Sequence, residues 1–182
     1  MKKVFILLAE GAEPVEALAP ADILRRCNIE TRLVSIGNSL QINCSKGIKI
    51  EADTLISDIM EQELPDMLIL PGGMPGYENL AGSKEVEVLL KKCVEAGKYI
   101  AAICGGPSVL AKYSIAEGCN VTSHSSVKEQ MAKYNYTGAP VEADGKIITG
   151  KGAGRSIEFA IRLAEILTDS ATIINLRKGL EC

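Results

Sequence analysis

Cys104 lies where a predicted strand passes directly into a predicted helix, within A-A-I-C-G-G-P at 101–107. A nucleophile elbow places its reactive residue on such a turn and requires small residues two positions before and after it, here Ala102 and Gly106. We therefore expect a positive φ at Cys104. A thiol at a helix N-terminus has a lowered pKa, typically within about 3.5–7.5. A buried and inert cysteine is the alternative, but the flanking small residues favour a reactive one.

Glu16 and His124 could move protons beside this cysteine. A carboxyl that faces a thiolate is pushed toward its protonated form by like charge and burial, and it can then protonate an alkoxide or deprotonate a carbon acid. His124 is the single histidine of the chain and follows a short predicted strand. A solvated helix charge and a structural hydrogen bond are the ordinary alternatives for Glu16 and His124. Asp22 is a candidate to orient the imidazole.

The loops that would bring these side chains together are rich in glycine. The carboxyl ends of parallel strands share one edge of a sheet, and ligands of open α/β proteins bind there. Glycine lets the backbone approach a ligand closely, although tight turns also use it. Five segments are predicted at this edge: 10–16, 71–76, 104–107, 123–126 and 150–154.

Short apolar runs bounded by turn residues predict the strands that carry these loops. Helices are predicted from Glu13-Pro14 to about Arg26, and over 83–96 with Ser83 as the cap and Gly97 at the end. The predicted strands are 4–9, 31–36, 67–70 and 99–103, the short strands 121–123, 141–143 and 147–149, and a hairpin that pairs 41–44 with 48–52.

The last long helix shows the clearest amphipathic pattern. Its apolar residues recur at helical spacing and predict one core-facing stripe: Ile157, Ala160, Ile161, Ala164 and Leu167. Buried strands that alternate with helices predict a mostly parallel sheet between two helical layers. Because no repeat or linker interrupts the pattern, residues 1–182 are predicted to form a single domain.

Composition excludes several classes of partner and cofactor. The 20 Lys and Arg against 23 Asp and Glu give a net charge of −3, without the basic stripe expected of a protein that binds nucleic acid or an anionic membrane. No apolar run reaches the length of a membrane helix or of a secretory signal, which favours a cytoplasmic location. The six cysteines form no C-x-x-C pair, so neither a metal site nor a disulfide framework is expected.

Four motifs together resemble the ThiJ/PfpI superfamily, and within it the branch of the parkinsonism-associated deglycase and its bacterial ThiJ/YajL-like relatives. They are G-A-E-P-V-E at 11–16, L-P-G-G at 70–73, A-A-I-C-G-G-P at 101–107 and T-S-H at 122–124. The resemblance extends over essentially the whole chain. It implies a flavodoxin-like three-layer α/β/α sandwich, a homodimer and a cysteine held in a strained backbone conformation.

The resemblance also implies roles for five residues. Cys104 matches the nucleophile, Glu16 the protonated carboxyl that hydrogen-bonds the thiolate, and His124 the histidine beside the cysteine. Gly73 and Gly105 match the residues whose backbone N–H groups form the oxyanion site.

Departures from the motifs of the wider superfamily narrow the range of activities that the resemblance implies. Gly105 stands where its proteases and amidases carry histidine, and no His-x-Glu lies toward the C-terminus as in glutamine amidotransferases, so peptide and amide hydrolysis are disfavoured. Lys46 and Lys151 replace an arginine that is frequent in close relatives, and Ala153 replaces a proline, which leaves the shape and anion preference of the pocket open.

The expected function is that of a cofactor-independent enzyme of the glyoxalase III or deglycase type, which converts a small α-oxoaldehyde such as methylglyoxal to lactate through Cys104. The alternative is a redox-responsive chaperone or sensor whose Cys104 is oxidised to a sulfinate, because an accessible thiolate is also the most easily oxidised thiol. A role in thiazole biosynthesis rests on an old family label alone, without a phosphate-binding motif.

Overall fold

The structure is a computed structural model that describes residues 1–61 and 64–182. Its strands are β1 (Lys3–Leu8), β2 (Glu30–Ser35), β3 (Gln41–Asn43), β4 (Lys49–Glu51), β5 (Thr54–Leu55), β6 (Met67–Leu70), β7 (Tyr99–Ile103), β8 (Asn120–Val121), β9 (Asn135–Tyr136), β10 (Val141–Asp144) and β11 (Ile147–Gly150). Seven of them form a central sheet in the order β10-β11-β7-β6-β1-β2-β5. Only the β10–β11 pair of this sheet is antiparallel.

Helices cover both faces of the sheet. They are α1 (Pro14–Arg26), α2 (Ile56–Ile59), α3 (Gly76–Gly82), α4 (Lys84–Glu95), α5 (Pro107–Lys112), α6 (Ser156–Leu167) and α7 (Ser170–Leu180). The apolar sides of α1, α6 and α7 pack on one face, and those of α2, α3, α4 and α5 pack on the other. The predicted three-layer α/β/α sandwich with a mostly parallel sheet is confirmed.

Strand β1 is apolar from Val4 to Leu8, and its contacts explain this pattern. Val4, Ile6 and Leu8 belong to the core beneath α1 and α6, whereas Phe5 and Leu7 belong to the core beneath α4. Successive side chains of a strand point to opposite faces, so a strand covered on both faces must be apolar throughout. Because β1 lies between β6 and β2, the loop after β1 leaves from the interior of the sheet.

Local capping fixes the start of two helices. The side chain of Ser83 accepts a hydrogen bond from the backbone N–H of Val86, 3.3 Å away, and so caps α4 as predicted. Glu13 caps α1 by accepting the N–H of Glu16 at 2.9 Å, and Pro14 occupies the first turn, where the missing N–H costs no helical bond.

The strands and helices expected from the sequence are present, with shifts of one or two residues at their ends. The predicted stripe on α6 is wrong at Ile157, which is 49% exposed. The buried side of α6 includes Phe159, Ala160, Leu163, Ala164 and Leu167, and Ile157 lies outside it. The short elements α2, α3, α7, β5 and β9 were not predicted. Among the described residues, no helix is long and apolar enough to cross a membrane.

Candidate active site

The backbone at Cys104 has the predicted strained geometry. Strand β7 ends at Ile103, and Cys104 has φ = +62°, a region that non-glycine residues rarely adopt. Its N–H donates to the carbonyl of Gly150 at 2.9 Å, and its carbonyl accepts the N–H of His124 at 2.9 Å. Because loops from both sides hold the residue, the surrounding structure can maintain strain on the order of 1–3 kcal/mol.

Steric crowding explains why the residues around the cysteine are small. A Cβ on Gly106 would lie 2.2 Å from the carbonyl oxygen of Leu70, and a Cβ on Gly105 would lie 2.3 Å from the ring of Tyr77. Ala102 is fully buried. The chain can therefore turn sharply after β7 only with minimal side chains at these positions, as in a nucleophile elbow.

Glu16 is a buried carboxyl directed at this turn. Its side chain is fully buried, and Oε2 accepts the N–H of Gly72 at 2.8 Å. Oε1 is buried without a hydrogen-bond partner among residues 1–61 and 64–182. Burial raises the pKa of the Glu16 carboxyl to about 7, although hydrogen bonds from Cys104 and Gly72 oppose the shift. Glu16 therefore keeps a proton to near-neutral pH, as the sequence predicted.

The Cys104 thiol lies against Glu16 and faces the backbone N–H groups of Gly105 and Gly73. Burial is the largest effect and raises the pKa of the thiol to about 12, and the negative charge and the hydrogen bond of Glu16 act in the same direction. The two backbone N–H groups lower the pKa but do not offset these effects. The expected pKa lowering by a helix N-terminus is therefore wrong for a thiol beside an ionised Glu16. Helix α5 begins at Pro107 and has six residues, so its dipole is small, and burial outweighs it.

The two groups titrate as a pair, because each lies in the field of the other. The first proton leaves near the pKa of Glu16, and one negative charge is then shared between the carboxyl and the sulfur. Two backbone N–H groups support that charge on Cys104. On Glu16 only Oε2 has a donor, and a proton on the carboxyl allows it to donate toward the sulfur. This arrangement favours a thiolate beside a neutral Glu16 above the first ionisation.

His124 borders the same space. It precedes a 3₁₀ helix over Ser125–Met131 and caps it, with Nδ1 accepting the N–H of Ser126. Asp22, the candidate to orient the imidazole, instead forms an ion pair with Arg26, so that assignment is wrong. The residue that orients the ring is Ser126, two positions further along the chain.

An open cavity of about 640 Å³ brings the predicted side chains together. It is lined by Glu13, Glu16, Cys104, His124, Lys151, Gly152, Ala153, Gly154 and Arg155. A cavity of about 740 Å³ lies over β10, α6 and α7 and contains none of Cys104, Glu16 and His124. Among the described residues, no group of His, Cys, Asp and Glu could hold a metal ion. The smaller cavity is therefore the candidate active site.

Sequence reasoning missed several residues of this site. Glu13 caps the helix that carries Glu16, and its spacing three positions before Glu16 is that of a capping pair, a signal that was present. Gly72 hydrogen-bonds Glu16 from a loop 56 positions away, and no local pattern indicates that pairing. The placement of Tyr77 and Arg155 likewise depends on tertiary structure, whereas Ser126 lies two positions after His124 and contacts it within one turn.

A parallel sheet with an elbow cysteine opposite a buried glutamate defines the class of protein. The family model described as DJ-1/PfpI family matches residues 2–166, and the chain belongs to this family. Its fold is flavodoxin-like, as expected from the resemblance.

The comparisons with individual proteins agree with this membership. The chain is 37% identical over 182 residues to the Parkinson disease protein 7 homolog of Danio rerio, covering 98% of this chain and 96% of the relative. It is 35% identical over 183 residues to the glutathione-independent glyoxalase DJR-1.2 of Caenorhabditis elegans, with the same coverage. The crystal structure of Drosophila melanogaster DJ-1beta superposes with a TM-score of 0.95 at 35% identity, covering 98% of this chain and 97% of that one.

Proposed function

We propose that this protein converts small α-oxoaldehydes such as methylglyoxal to the corresponding hydroxy acids without metal, nucleotide or glutathione. The observation that carries the proposal is the pairing of Cys104 with a buried Glu16 whose pKa is raised to about 7. Such a carboxyl can both give and take a proton at neutral pH. A relative that is 35% identical is named a glutathione-independent glyoxalase.

In the first step the Cys104 sulfur bonds to the aldehyde carbon of methylglyoxal. The carbonyl π electrons move to oxygen, which takes the proton from Glu16, so that a neutral hemithioacetal and an ionised Glu16 result. The N–H groups of Gly73 and Gly105, which support negative charge on the sulfur before attack, are placed to stabilise the developing oxyanion.

In the second step Glu16 removes the hydrogen from the carbon bonded to sulfur, and an enediolate forms with its negative charge on the oxygen of the neighbouring carbon. Glu16 returns the proton to the neighbouring carbon, and the hydroxyl proton of the sulfur-bearing carbon moves to the neighbouring oxygen. A lactate thioester results, so one carbon is oxidised and the other reduced within the same molecule. Water then cleaves the thioester, releasing lactate and restoring the Cys104 thiol. The balance needs one water and no external oxidant, and His124 assists by hydrogen-bonding the substrate oxygen.

The same chemistry extends to adducts of α-oxoaldehydes on protein side chains, which is the deglycase form of the proposal. The cavity is open to solvent and bordered by the exposed residues Lys151 and Arg155, so a tethered adduct has a route to Cys104. Release of lactate from a preformed adduct, after free methylglyoxal has been removed, tests this form separately.

A second candidate function is redox response. Cys104 is half-exposed, whereas Cys27, Cys44 and Cys93 are buried, so oxidation would end at a sulfinate and not at a disulfide with one of these. The two N–H groups that face the sulfur could receive the sulfinate oxygens. A structural relative, DJ-1 of Toxoplasma gondii, was solved in an oxidized form at 30% identity and a TM-score of 0.91.

One experiment separates the two candidates. Steady-state lactate production from methylglyoxal is measured for wild type and Cys104→Ala, and intact mass is recorded after limiting peroxide. Turnover by wild type, absent in the variant, supports the enzyme. If neither wild type nor Cys104→Ala produces lactate, and wild type alone gains two oxygen atoms, the result supports the redox candidate and contradicts the enzyme.

We further propose that the protein forms a homodimer through the outer face of α1. Val15 and Leu18 are 49% and 40% exposed, and Ile157 on the adjacent α6 is 49% exposed. Val15 and Leu18 are three positions apart, so they share one face of the helix. Leu18→Glu would place a charge in this surface and should convert the dimer to a monomer in analytical ultracentrifugation. An unchanged sedimentation coefficient would place the interface elsewhere.

A further inference from the structure

The hydrogen bonds around His124 determine which of its ring nitrogens carries the proton. The backbone N–H of Ser126 donates to Nδ1 at 3.2 Å, and the Ser126 hydroxyl lies 2.8 Å from the same nitrogen. A nitrogen that accepts a backbone N–H is disfavoured as the site of a proton, because two hydrogens would then face each other. The hydroxyl can rotate and donate as well. In the neutral ring the proton is therefore on Nε2.

The other edge of the ring faces the candidate active site. A Cβ built on Gly152 would lie 3.7 Å from Cδ2 of His124, and both residues line the cavity that contains Cys104. Cδ2 is bonded to Nε2, so the Cδ2–Nε2 edge borders the cavity while the Nδ1 edge is held by the chain's own loop. The backbone N–H of His124 donates to the carbonyl of Cys104, so this hydrogen bond fixes the backbone of His124 relative to Cys104.

We propose that Ser126 is a positioning residue that fixes the tautomer of the neutral His124 ring, with the proton on Nε2 available for donation. The imidazole then acts as a hydrogen-bond donor to the substrate oxygen that becomes negative when Glu16 removes the carbon-bound hydrogen, and Glu16 is the group that moves that hydrogen. The catalytic part of this inference rests on the proposed function, whereas the tautomer rests on the bonds to Ser126 alone.

Two substitutions test the tautomer in different ways. Ser126→Ala removes the hydroxyl and leaves the backbone N–H. Ser126→Asp places a carboxylate beside Nδ1, which stabilises a proton there and should invert the preference. Ser126→Thr keeps the hydroxyl and should restore the wild-type behaviour. Ser125→Ala, at the exposed neighbouring serine, is the matched control.

The readout is direct because His124 is the only histidine of the chain. ¹⁵N NMR of protein labelled in histidine reports one imidazole, and the two neutral tautomers and the imidazolium have distinct shifts. Wild type, Ser126→Thr and Ser125→Ala should show an unprotonated Nδ1 and a protonated Nε2. Ser126→Ala should show a larger fraction with the proton on Nδ1, and Ser126→Asp should show protonated Nδ1 as the main form.

Turnover of methylglyoxal should follow the spectrum. We expect kcat to fall about threefold in Ser126→Ala, within the range that one ordinary hydrogen bond supplies, and about tenfold or more in Ser126→Asp. The KM should stay within about twofold, and Cys104 alkylation by iodoacetamide should be unchanged, because the thiol and Glu16 are untouched. If Ser126→Asp does not fold, Ser126→Ala carries the test.

Three results would overturn the proposal: a proton on Nδ1 in wild type, an unchanged tautomer in both variants, or an altered tautomer with unchanged kcat. If wild type does not convert methylglyoxal, the proposed function fails, and the spectrum alone then confirms or overturns the assignment of Ser126.

Discussion

Cys93 and Cys104 are both cysteines of the core, yet their surroundings differ in the features that allow reaction. Cys93 lies inside helix α4 with no exposed surface, and burial raises the pKa of its thiol to about 11. Cys104 is half-exposed, is bordered by two backbone N–H groups, and shares its charge with an acid. Burial acts on both thiols in the same direction. We therefore expect the reactivity of Cys104 to come from the two backbone N–H donors and from Glu16 as its proton partner, and not from a low intrinsic pKa of the thiol.

The largest expected effect follows from removing that proton partner. Glu16→Gln keeps a hydrogen-bond donor beside the sulfur but cannot take or return a proton, so kcat for methylglyoxal should fall by about 10²–10⁴-fold. Glu95→Gln, on the exposed side of the helix that carries Cys93, is the control and should retain wild-type kcat. Full turnover by Glu16→Gln would show that Glu16 is not the acid–base residue.

Alkylation compares the two cysteines directly. Under limiting iodoacetamide at pH 7.5, Cys104 should be modified on the order of 10² times faster than Cys93, because Cys93 reacts only after the helix opens. The rate at Cys104 should rise as the pH passes the pKa of Glu16, where the pair loses its first proton. Peptide mapping by mass spectrometry measures both sites in one sample. Equal labelling of Cys93 and Cys104 would remove the distinction.

The pKa of Glu16 also predicts how stability depends on pH. The carboxyl binds its proton more tightly in the folded state, with a pKa of about 7 against a usual 4.5. The stabilisation is complete below pH 4.5 and is lost as the pH rises toward 7, by up to about 3 kcal/mol. Urea unfolding at pH 4.5 and 7.5 should show this loss in wild type and not in Glu16→Gln. Parallel behaviour of the two proteins would contradict the raised pKa.

The smallest effect concerns backbone strain. Glycine adopts φ = +62° without penalty, so Cys104→Gly should raise the free energy of unfolding by about 1 kcal/mol, or the melting temperature by roughly 2–4 °C for a protein of this size. Cys93→Gly should lower it, because it leaves a cavity and places glycine inside a helix. Thermal melts of both variants measure the contrast, and a lower melting temperature for Cys104→Gly would mean that lost packing outweighs the strain.

The fold and the strained turn at Cys104 could be predicted because their signals are local. Apolar runs, the serine cap at Ser83 and the small residues around Cys104 each depend on a few neighbouring positions. Glu16 and His124 were predicted from their place after strands of a parallel sheet, and the structure places both beside the cysteine cavity. Their catalytic roles stay predictions, as do the cytoplasmic location and the single domain over residues 1–182.

What could not be predicted depends on how side chains are oriented once the strands and helices pack together. The partner of the imidazole is Ser126 and not Asp22, because α1 directs Asp22 toward Arg26 on its own surface. Ile157 fits an apolar stripe in sequence but lies outside it, since the orientation of α6 is set by Phe159 against the sheet. The pKa of the thiol could not be predicted from a helix N-terminus alone, because burial and Glu16 act on the same sulfur and the two groups titrate as a pair.

The bonds that hold Cys104 between Gly150 and His124 make its chemistry a property of the folded sheet. A peptide of residues 99–112 would lack both partners and would relax to negative φ, so it should behave as an ordinary thiol. In the intact protein, opening of the end of β11 would release the amide of Cys104 from Gly150 and the strained geometry together. Hydrogen exchange at that single amide should therefore report the same opening event that switches the nucleophile off.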